Sequence, residues 1–207
     1  MRQLYYACDE RRPRLFDQGM SAFLLGTDEP SLGYVSAVLL PPAEAAELER
    51  AALDNRQALQ LLGADYSANA YPFSLRYQNC NQWVLELLAV AWGHLDASVD
   101  ARDRAQGWLK DRGYVPSVFD VGSRVLMWLG GLIPWLHSDD HPREDLERAL
   151  YRVSMPASIE GFVQGAVPGA TRIEFCHTDR YVVIHRGWDA IADGCKPGEQ
   201  DTVIALD

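Results

Sequence analysis

The residue of this chain best suited to covalent chemistry is Cys80, which follows Asn79 at the predicted start of a helix. Asn is a preferred N-cap residue, so Cys80 falls in the first helical turn. Unpaired backbone N–H groups and the helix dipole favour negative charge there, which would lower the pKa of the thiol and produce a usable nucleophile. Cys80 also shares an apolar stripe with Val84 and Leu87, so we expect it to face the element on which the helix packs.

A nucleophilic thiol needs a base, and His185 is the first candidate. The predicted strand over residues 181–185 alternates its side chains, so Val183 and His185 share one face. The imidazole then lies at a strand end beside an apolar row, from which it could face the cysteine in a papain-type arrangement. Asp179 or Asp189 could orient the ring, and the alternative is an ordinary strand-edge histidine.

Two further histidines, His141 and His177, are rival bases. His141 ends the sequence Ser-Asp-Asp-His, in which carboxylates could orient an imidazole or bind a metal ion. The alternative for this segment is a solvated acidic loop that caps the helix beginning near Pro142. His177 lies on the same predicted hairpin as His185. Cys80 has a structural alternative of its own, because free cysteine is among the residue types most often buried.

The segment over residues 70–83 carries a family resemblance. It reads Ala-Tyr-Pro-Phe-Ser-Leu-Arg-Tyr-Gln-Asn-Cys-Asn-Gln-Trp and resembles the signature AYPFS-x-RYQN-x-NQW of an uncharacterised bacterial domain family. The likeness extends from Leu4 through Asp17-Gln-Gly19 to Asp139-Asp-His-Pro142. Its Asn-Cys-Asn-Gln-Trp part is similar to a motif of circularly permuted NlpC-like and lecithin:retinol acyltransferase-like papain-fold proteins. The resemblance implies an α+β fold with a papain-like core, in which an antiparallel sheet packs against the helix that starts at Cys80.

This chain departs from the pattern of those proteins at two points. Many members of the bacterial family carry Ser at the position of Cys80. Permuted papain-like proteins supply the base from a strand before the cysteine, whereas no histidine precedes His94 here. Fuller relatives carry an additional N-terminal stretch with such a histidine, usually behind an export signal. The resemblance therefore leaves three alternatives: a missing N-terminal strand, another histidine in the role of base, or an inactive site.

Two functions follow from the resemblance. The first is a cysteine hydrolase or acyltransferase that acts on an amide, ester or thioester bond, without a metal or an organic cofactor. Cys80 would be its nucleophile, Asn79, Asn81 and backbone N–H groups would shape the oxyanion site, and a small peptide, lipid or cell-wall fragment would be its substrate. The second is a catalytically inactive member of the same fold that binds a partner or ligand. Its groove would be lined by four aromatic residues: Tyr71, Phe73, Tyr77 and Trp83.

The elements that must position these residues are helices and strands of one predicted domain spanning residues 1–207. Apolar periodicity and Pro and Gly boundaries predict a helix over residues 43–62 and another over the segment that starts at Cys80. A short helix is expected over residues 15–25. Strands are expected over residues 34–40 and in the C-terminal third, at residues 149–154, 171–176 and 181–185. Trp128 and Trp135, with the Leu and Met residues around them, are expected in the core.

Composition limits the partners. The 207 residues carry a formal net charge of −10, which disfavours nucleic acid and anionic lipid. The four cysteines are too sparse for a disulfide scaffold and have no C-x-x-C spacing. The longest apolar stretch, residues 125–136, is too short for a membrane span, and the first residues do not resemble a signal peptide. The chain alone predicts a cytoplasmic protein, and the fuller relatives imply an exported one. The oligomeric state stays open.

Overall fold

The structure is a computed structural model that describes residues 1–10, 12–21, 31–96 and 100–206. Its strands are β1 (Arg2–Ala7), β2 (Arg12–Asp17), β3 (Leu32–Leu39), β4 (Asp65–Tyr66), β5 (Tyr77–Gln78), β6 (Ser117–Asp120), β7 (Leu150–Val153), β8 (Thr171–Thr178), β9 (Tyr181–Arg186) and β10 (Thr202–Ala205). Its helices are α1 (Pro42–Leu53), α2 (Asn55–Gln60), α3 (Cys80–Trp92), α4 (Ala101–Asp111), α5 (Arg124–Gly130), α6 (Arg143–Glu147) and α7 (Pro156–Ala166).

These elements form two compact units, each built from separate stretches of the chain. The sheet unit contains Met1, residues 18–42 and residues 163–207, and the helical unit contains residues 2–17 and 43–162. Antiparallel pairing is found in both, and the short β4–β5 pair is parallel. The predicted α+β class is therefore confirmed.

The sheet unit is organised by a four-stranded antiparallel sheet in the order β10-β9-β8-β3. Cys176 on β8 lies opposite Val183 on β9, and both side chains are completely buried. Together with Ile191 and Cys195 they form the small core of this unit. A disulfide joins Cys176 to Cys195 across 5.4 Å between their Cα atoms. This pair was not predictable from the sequence, because the two cysteines are 19 positions apart and a loop brings them together.

The core of the helical unit is built around α3. Nine of its thirteen residues are buried, and a helix that is apolar nearly all round must be enclosed by its neighbours. It packs against α4 and against β1 of the β1–β2 hairpin. The predicted helix start at Cys80 is confirmed. No helix among the described residues is long and apolar enough to cross a membrane.

The structure differs from the sequence-based predictions at two segments of the chain. Residues 15–17 of the expected 15–25 helix belong to strand β2, whose hairpin with β1 pairs Leu15 with Leu4. Met20 and Ser21 are helical, and residues 22–25 lie outside the described residues. The apolar stretch over residues 125–136 was expected in the core, yet Met127 is its only buried residue. The helix within it is only seven residues long, so one side chain suffices to anchor it and the rest face outward.

Candidate functional site

The predicted N-cap of the Cys80 helix is confirmed in detail. Asn79 Oδ1 accepts a hydrogen bond of 2.7 Å from the Gln82 backbone N–H, and Asn79 Nδ2 donates to the Ala68 carbonyl at 3.2 Å. One side chain therefore satisfies an unpaired helical N–H and ties the helix start to the preceding loop. Asn79 is buried, so its role in this geometry is structural.

Two polar residues of the 70–83 segment and two of α4 converge on Glu86, which is completely buried. Its carboxylate accepts hydrogen bonds from Gln78 at 2.6 Å, Gln106 at 2.8 Å, Arg102 at 2.9 Å and Gln82 at 3.3 Å. Burial raises the pKa of Glu86, and Arg102 and the amides oppose that rise. Several hydrogen bonds to one buried carboxylate fix the members of this network in one arrangement, although Gln82 Oε1 has no partner among the described residues.

The same network holds the loop that precedes α3. Arg102 donates to the carbonyls of Leu75 at 2.9 Å and Tyr77 at 3.1 Å. Gln106 donates to the Ser74 carbonyl at 3.1 Å, and Gln82 donates to the Pro72 carbonyl at 3.3 Å. The polar residues of the 70–83 segment thus have a structural explanation: they shape a loop and a helix start.

Cys80 is half-buried at the first turn of α3. Burial raises the pKa of its thiol, and the backbone N–H groups of Cys80 and Asn81 oppose that rise. The expected lowering of the pKa is therefore wrong, because desolvation outweighs the amides at this depth. Burial, with a smaller contribution from Cys80, also raises the pKa of the nearby Tyr66 to about 12. Among the described residues of the helical unit, no histidine is hydrogen-bonded to Cys80.

His141 is a buried residue of the helical unit. Its Nε2 lies 2.7 Å from the Asn69 carbonyl, and its ring lies 5.6 Å from that of Tyr71 and 4.8 Å from that of Tyr151, centroid to centroid. Burial lowers the pKa of His141, and the Asn69 carbonyl and Asp140 oppose that shift. The interpretation of this segment as a solvated acidic loop is wrong for His141, because the aromatic rings enclose it.

His177 and His185 belong to the sheet unit. His185 lies on the same face of the sheet as Val183 and Cys176, as the predicted alternation requires. His177 lies on the opposite face and is paired with Gly33 on β3. His185 Nδ1 lies 2.6 Å from Asp201 Oδ1. The carboxylate that orients this ring is therefore Asp201.

Neither Asp179 nor Asp189, the two expected partners, makes that contact with His185. The sequence could not distinguish them from Asp201, because Asp201 lies 16 positions beyond the histidine and a loop returns it to the ring. The Nε2 atom of His185 is buried and has no partner among the described residues. Cys80 belongs to the helical unit, and both histidines belong to the sheet unit.

The four aromatic residues expected to line one groove lie in different surroundings. Trp83 is 1% exposed, and its indole donates to the Ala58 carbonyl at 3.2 Å. Its assignment to a groove is wrong, since it is a core residue. Phe73 packs edge-on between Tyr71 and Tyr114. Of the four, Tyr77 lines the cavity described next.

The helical unit contains an open cavity of about 600 Å³. Four of its lining residues are aromatic: Tyr6, Tyr66, Tyr77 and Trp135. The ring of Tyr6 lies 5.1 Å from that of Tyr66 and 6.5 Å from that of Trp135. The sequence did not reveal this site, because its walls come from β1, β4, β5 and the segment after α5, and of its four aromatic residues only Tyr77 lies in the 70–83 segment.

Polar groups stand at the rim of the same cavity. His137 stacks on Tyr77, with 4.3 Å between ring centroids and an interplanar angle of 6°. The guanidinium of Arg76 lies 5.4 Å from the centroid of the Tyr77 ring and forms an ion pair of 2.7 Å with Asp139. Burial and the nearby Asp139 raise the pKa of Tyr77. Asp65 and the exposed free thiol of Cys8 complete the polar lining.

No group of three or more His, Cys, Asp or Glu side chains among the described residues could hold a metal ion. The fold and the site thus define an α+β protein with an aromatic-lined cavity that includes Arg76 and Tyr77 of the 70–83 segment. Residues 1–163 match the family of uncharacterised proteins conserved in bacteria that is designated DUF2145, and the chain belongs to this family. No curated protein and no solved structure matches the chain.

Proposed function

We propose that this protein is a ligand-binding module and that its site is the aromatic cavity of the helical unit. The observation that carries the proposal is the lining: four aromatic side chains around about 600 Å³ of space, with a few polar groups at the rim. Ligand sites have this volume and this composition. Tyr and Trp offer flat apolar faces at little entropic cost and keep polar tips for hydrogen bonds.

The polar groups indicate the chemistry of the ligand. Arg76 is paired with Asp139, so its charge is already balanced. His137, stacked on Tyr77, and Asp65 can form hydrogen bonds with hydroxyl or amide groups. These features favour a small peptide or a cell-wall fragment that carries amides or hydroxyls beside a flat ring or an apolar face.

The test compares two exposed tryptophans of the same unit. Soluble disaccharide-peptide fragments of bacterial cell wall are titrated into the protein and binding is followed by calorimetry. Trp135→Ala removes a wall of the cavity and should weaken binding at least tenfold, about 1.4 kcal/mol. Trp128→Ala, outside this cavity, should bind as the unmodified protein does. Absence of binding to these fragments, or equal affinity of both variants, would overturn the proposal.

A second candidate function is the cysteine hydrolase or acyltransferase with Cys80 as nucleophile, in a papain-like, permuted NlpC-like core. The observation that favours it is the pair of backbone N–H groups, from Cys80 and Asn81, that interact with the sulfur. Such amides can stabilise a thiolate and then an oxyanion. In this chemistry the thiol loses its proton and attacks the carbonyl carbon, that proton passes to the departing amine or alcohol, and water then hydrolyses the thioester, which releases the acid and restores the thiol.

Two cysteine variants separate this candidate from the binding module. The acyl-transfer hypothesis predicts that the protein hydrolyses a p-nitrophenyl ester, that Cys80→Ser abolishes the activity and that Cys8→Ser retains it. We place the binding module first, because burial raises the pKa of the Cys80 thiol. Ester hydrolysis unaffected by Cys80→Ser would eliminate the enzyme hypothesis without touching the cavity hypothesis.

A further inference from the structure

The segment over residues 125–136 is an exposed apolar surface of the helical unit. It contains no charged residue, and its only polar side-chain groups are the indole N–H groups of Trp128 and Trp135. Trp128 is 69% exposed and Leu132 is 70% exposed. Large exposed apolar patches on a folded protein mark contact with a partner or a membrane. We propose that this segment inserts into the interface of an uncharged, zwitterionic lipid bilayer.

The geometry of α5 supports insertion. Met127 is its inward-facing residue, and four neighbours are exposed: Val125, Leu126, Trp128 and Leu129. At about 100° per residue, those four cover an arc of roughly 160° on the side away from Met127. Helices that lie in the plane of a membrane interface expose a continuous apolar face in this way. A rigid, flat protein surface would contact only part of so wide a convex face, whereas acyl chains can surround it.

The chemistry of the segment distinguishes lipid from a protein partner. Specific protein interfaces form about one hydrogen bond per 100–200 Å², and residues 125–136 offer side-chain donors only at the two indoles. Trp is enriched where a protein meets the headgroup region of a bilayer, because its ring is apolar and its N–H is polar. The stretch is too short to span a bilayer, so it would lie at the surface.

The charge of the whole chain selects the kind of lipid. A net charge of −10 repels anionic headgroups. The exposed side chain of Arg124 precedes the segment and Asp139 follows it, so the flanks add no basic cluster. Binding should therefore rest on apolar burial and should be stronger on phosphatidylcholine vesicles than on vesicles that also contain phosphatidylglycerol.

The experiment is vesicle flotation of the full chain with phosphatidylcholine. The double variant Trp128→Ser/Leu132→Ser should lower partitioning by about tenfold or more, because two large apolar side chains no longer enter the bilayer. The matched control is Leu53→Ser/Leu59→Ser, two leucines of the same unit that are 68% and 58% exposed outside the segment, and it should partition normally. Circular dichroism verifies that both variants fold.

Brominated phosphatidylcholine supplies a second measurement. Bromine quenches an indole that enters the acyl region, so the unmodified protein should be quenched and Trp128→Ser should be quenched measurably less, with Trp135 as the second indole of the segment. The proposal is overturned if the unmodified protein does not float, or if both double variants lose partitioning equally. It is also overturned if light scattering shows a dimer that Trp128→Ser/Leu132→Ser abolishes while vesicles bind neither form, since a second copy would then be the partner.

Discussion

Arg102 and Glu86 form an ion pair inside the helical unit, with 2.9 Å between Arg102 Nε and Glu86 Oε2. Glu86 is completely buried, and the Arg102 side chain is nearly so. The pair joins α3 to α4, and Arg102 also donates to two carbonyls of the loop before α3. A charge pair at this depth contributes to a unique arrangement more than to net stability, and here it fixes the loop that carries Tyr77.

Removing one partner of this pair should destabilise the protein severely. Arg102→Met leaves the carboxylate of Glu86 buried without its cation, and we expect a loss of about 3–5 kcal/mol in the free energy of unfolding. Urea denaturation followed by circular dichroism measures the change. Arg143→Met is the control, because its ion pair with Glu147 is exposed to solvent and should matter little. Similar midpoints for the two variants would contradict the structural role of the pair.

The reactivity of Cys80 should reflect its burial. Burial raises the pKa of this thiol, so alkylation by iodoacetamide should accelerate only above the free-thiol value of about 8.5. Cys8→Ser leaves Cys80 as the free thiol to follow by mass spectrometry, and Cys80→Ser retains the exposed Cys8 as a reference for access. A reaction rate that rises well below the free-thiol value would instead show an activated nucleophile.

His141 should make stability depend on pH in the mildly acidic range. Its Nε2–H donates to the Asn69 carbonyl, and Nδ1 is buried without a partner among the described residues. Burial therefore lowers the pKa of His141 in the folded state. Below the unfolded value of about 6.5 the unfolded chain binds the extra proton first, so stability is lost as the pH falls from there toward the folded pKa.

His141→Gln should flatten this dependence, because Gln keeps a donor for the Asn69 carbonyl and has no proton to gain. Urea midpoints between about pH 7.5 and pH 5.5 measure the slope. Burial raises the pKa of the neighbouring Asp140, so protonation of Asp140 affects stability with the opposite sign: it stabilises the folded state as the pH falls. His94→Gln replaces an exposed ring and serves as control. Parallel profiles for the unmodified protein and His141→Gln would reject the assignment.

The disulfide between Cys176 and Cys195 should stabilise the sheet unit. It closes a loop between cysteines that are 19 positions apart, and a loop of that size predicts a contribution of about 3 kcal/mol. Dithiothreitol should lower the urea midpoint of the unmodified protein and leave Cys195→Ser unaffected. Cys8→Ser should behave as the unmodified protein does. Alkylation of Cys176 and Cys195 in the folded, unreduced protein would show that no bond forms.

Local features were predictable from the sequence because their causes lie within a few residues. The N-cap by Asn79, the start of α3 at Cys80 and the shared face of Val183 and His185 follow from hydrogen bonding and side-chain geometry along one segment. The apolar periodicity of α3 predicted a helix with one packed face, whereas the structure buries nine of its thirteen residues, because neighbouring elements enclose it.

The tertiary structure alone decided which distant groups meet and which surfaces stay exposed. Three features depend on chain segments that are far apart in sequence. They are the ion pair of Glu86 with Arg102, the contact of His185 with Asp201, and the cavity lined by Tyr6 and Trp135. The exposure of residues 125–136 could not be predicted from the sequence for the same reason, since an apolar segment is buried only if other elements of the fold cover it. The direction of the Cys80 pKa shift depends on burial as well, because desolvation is set by everything packed around the thiol.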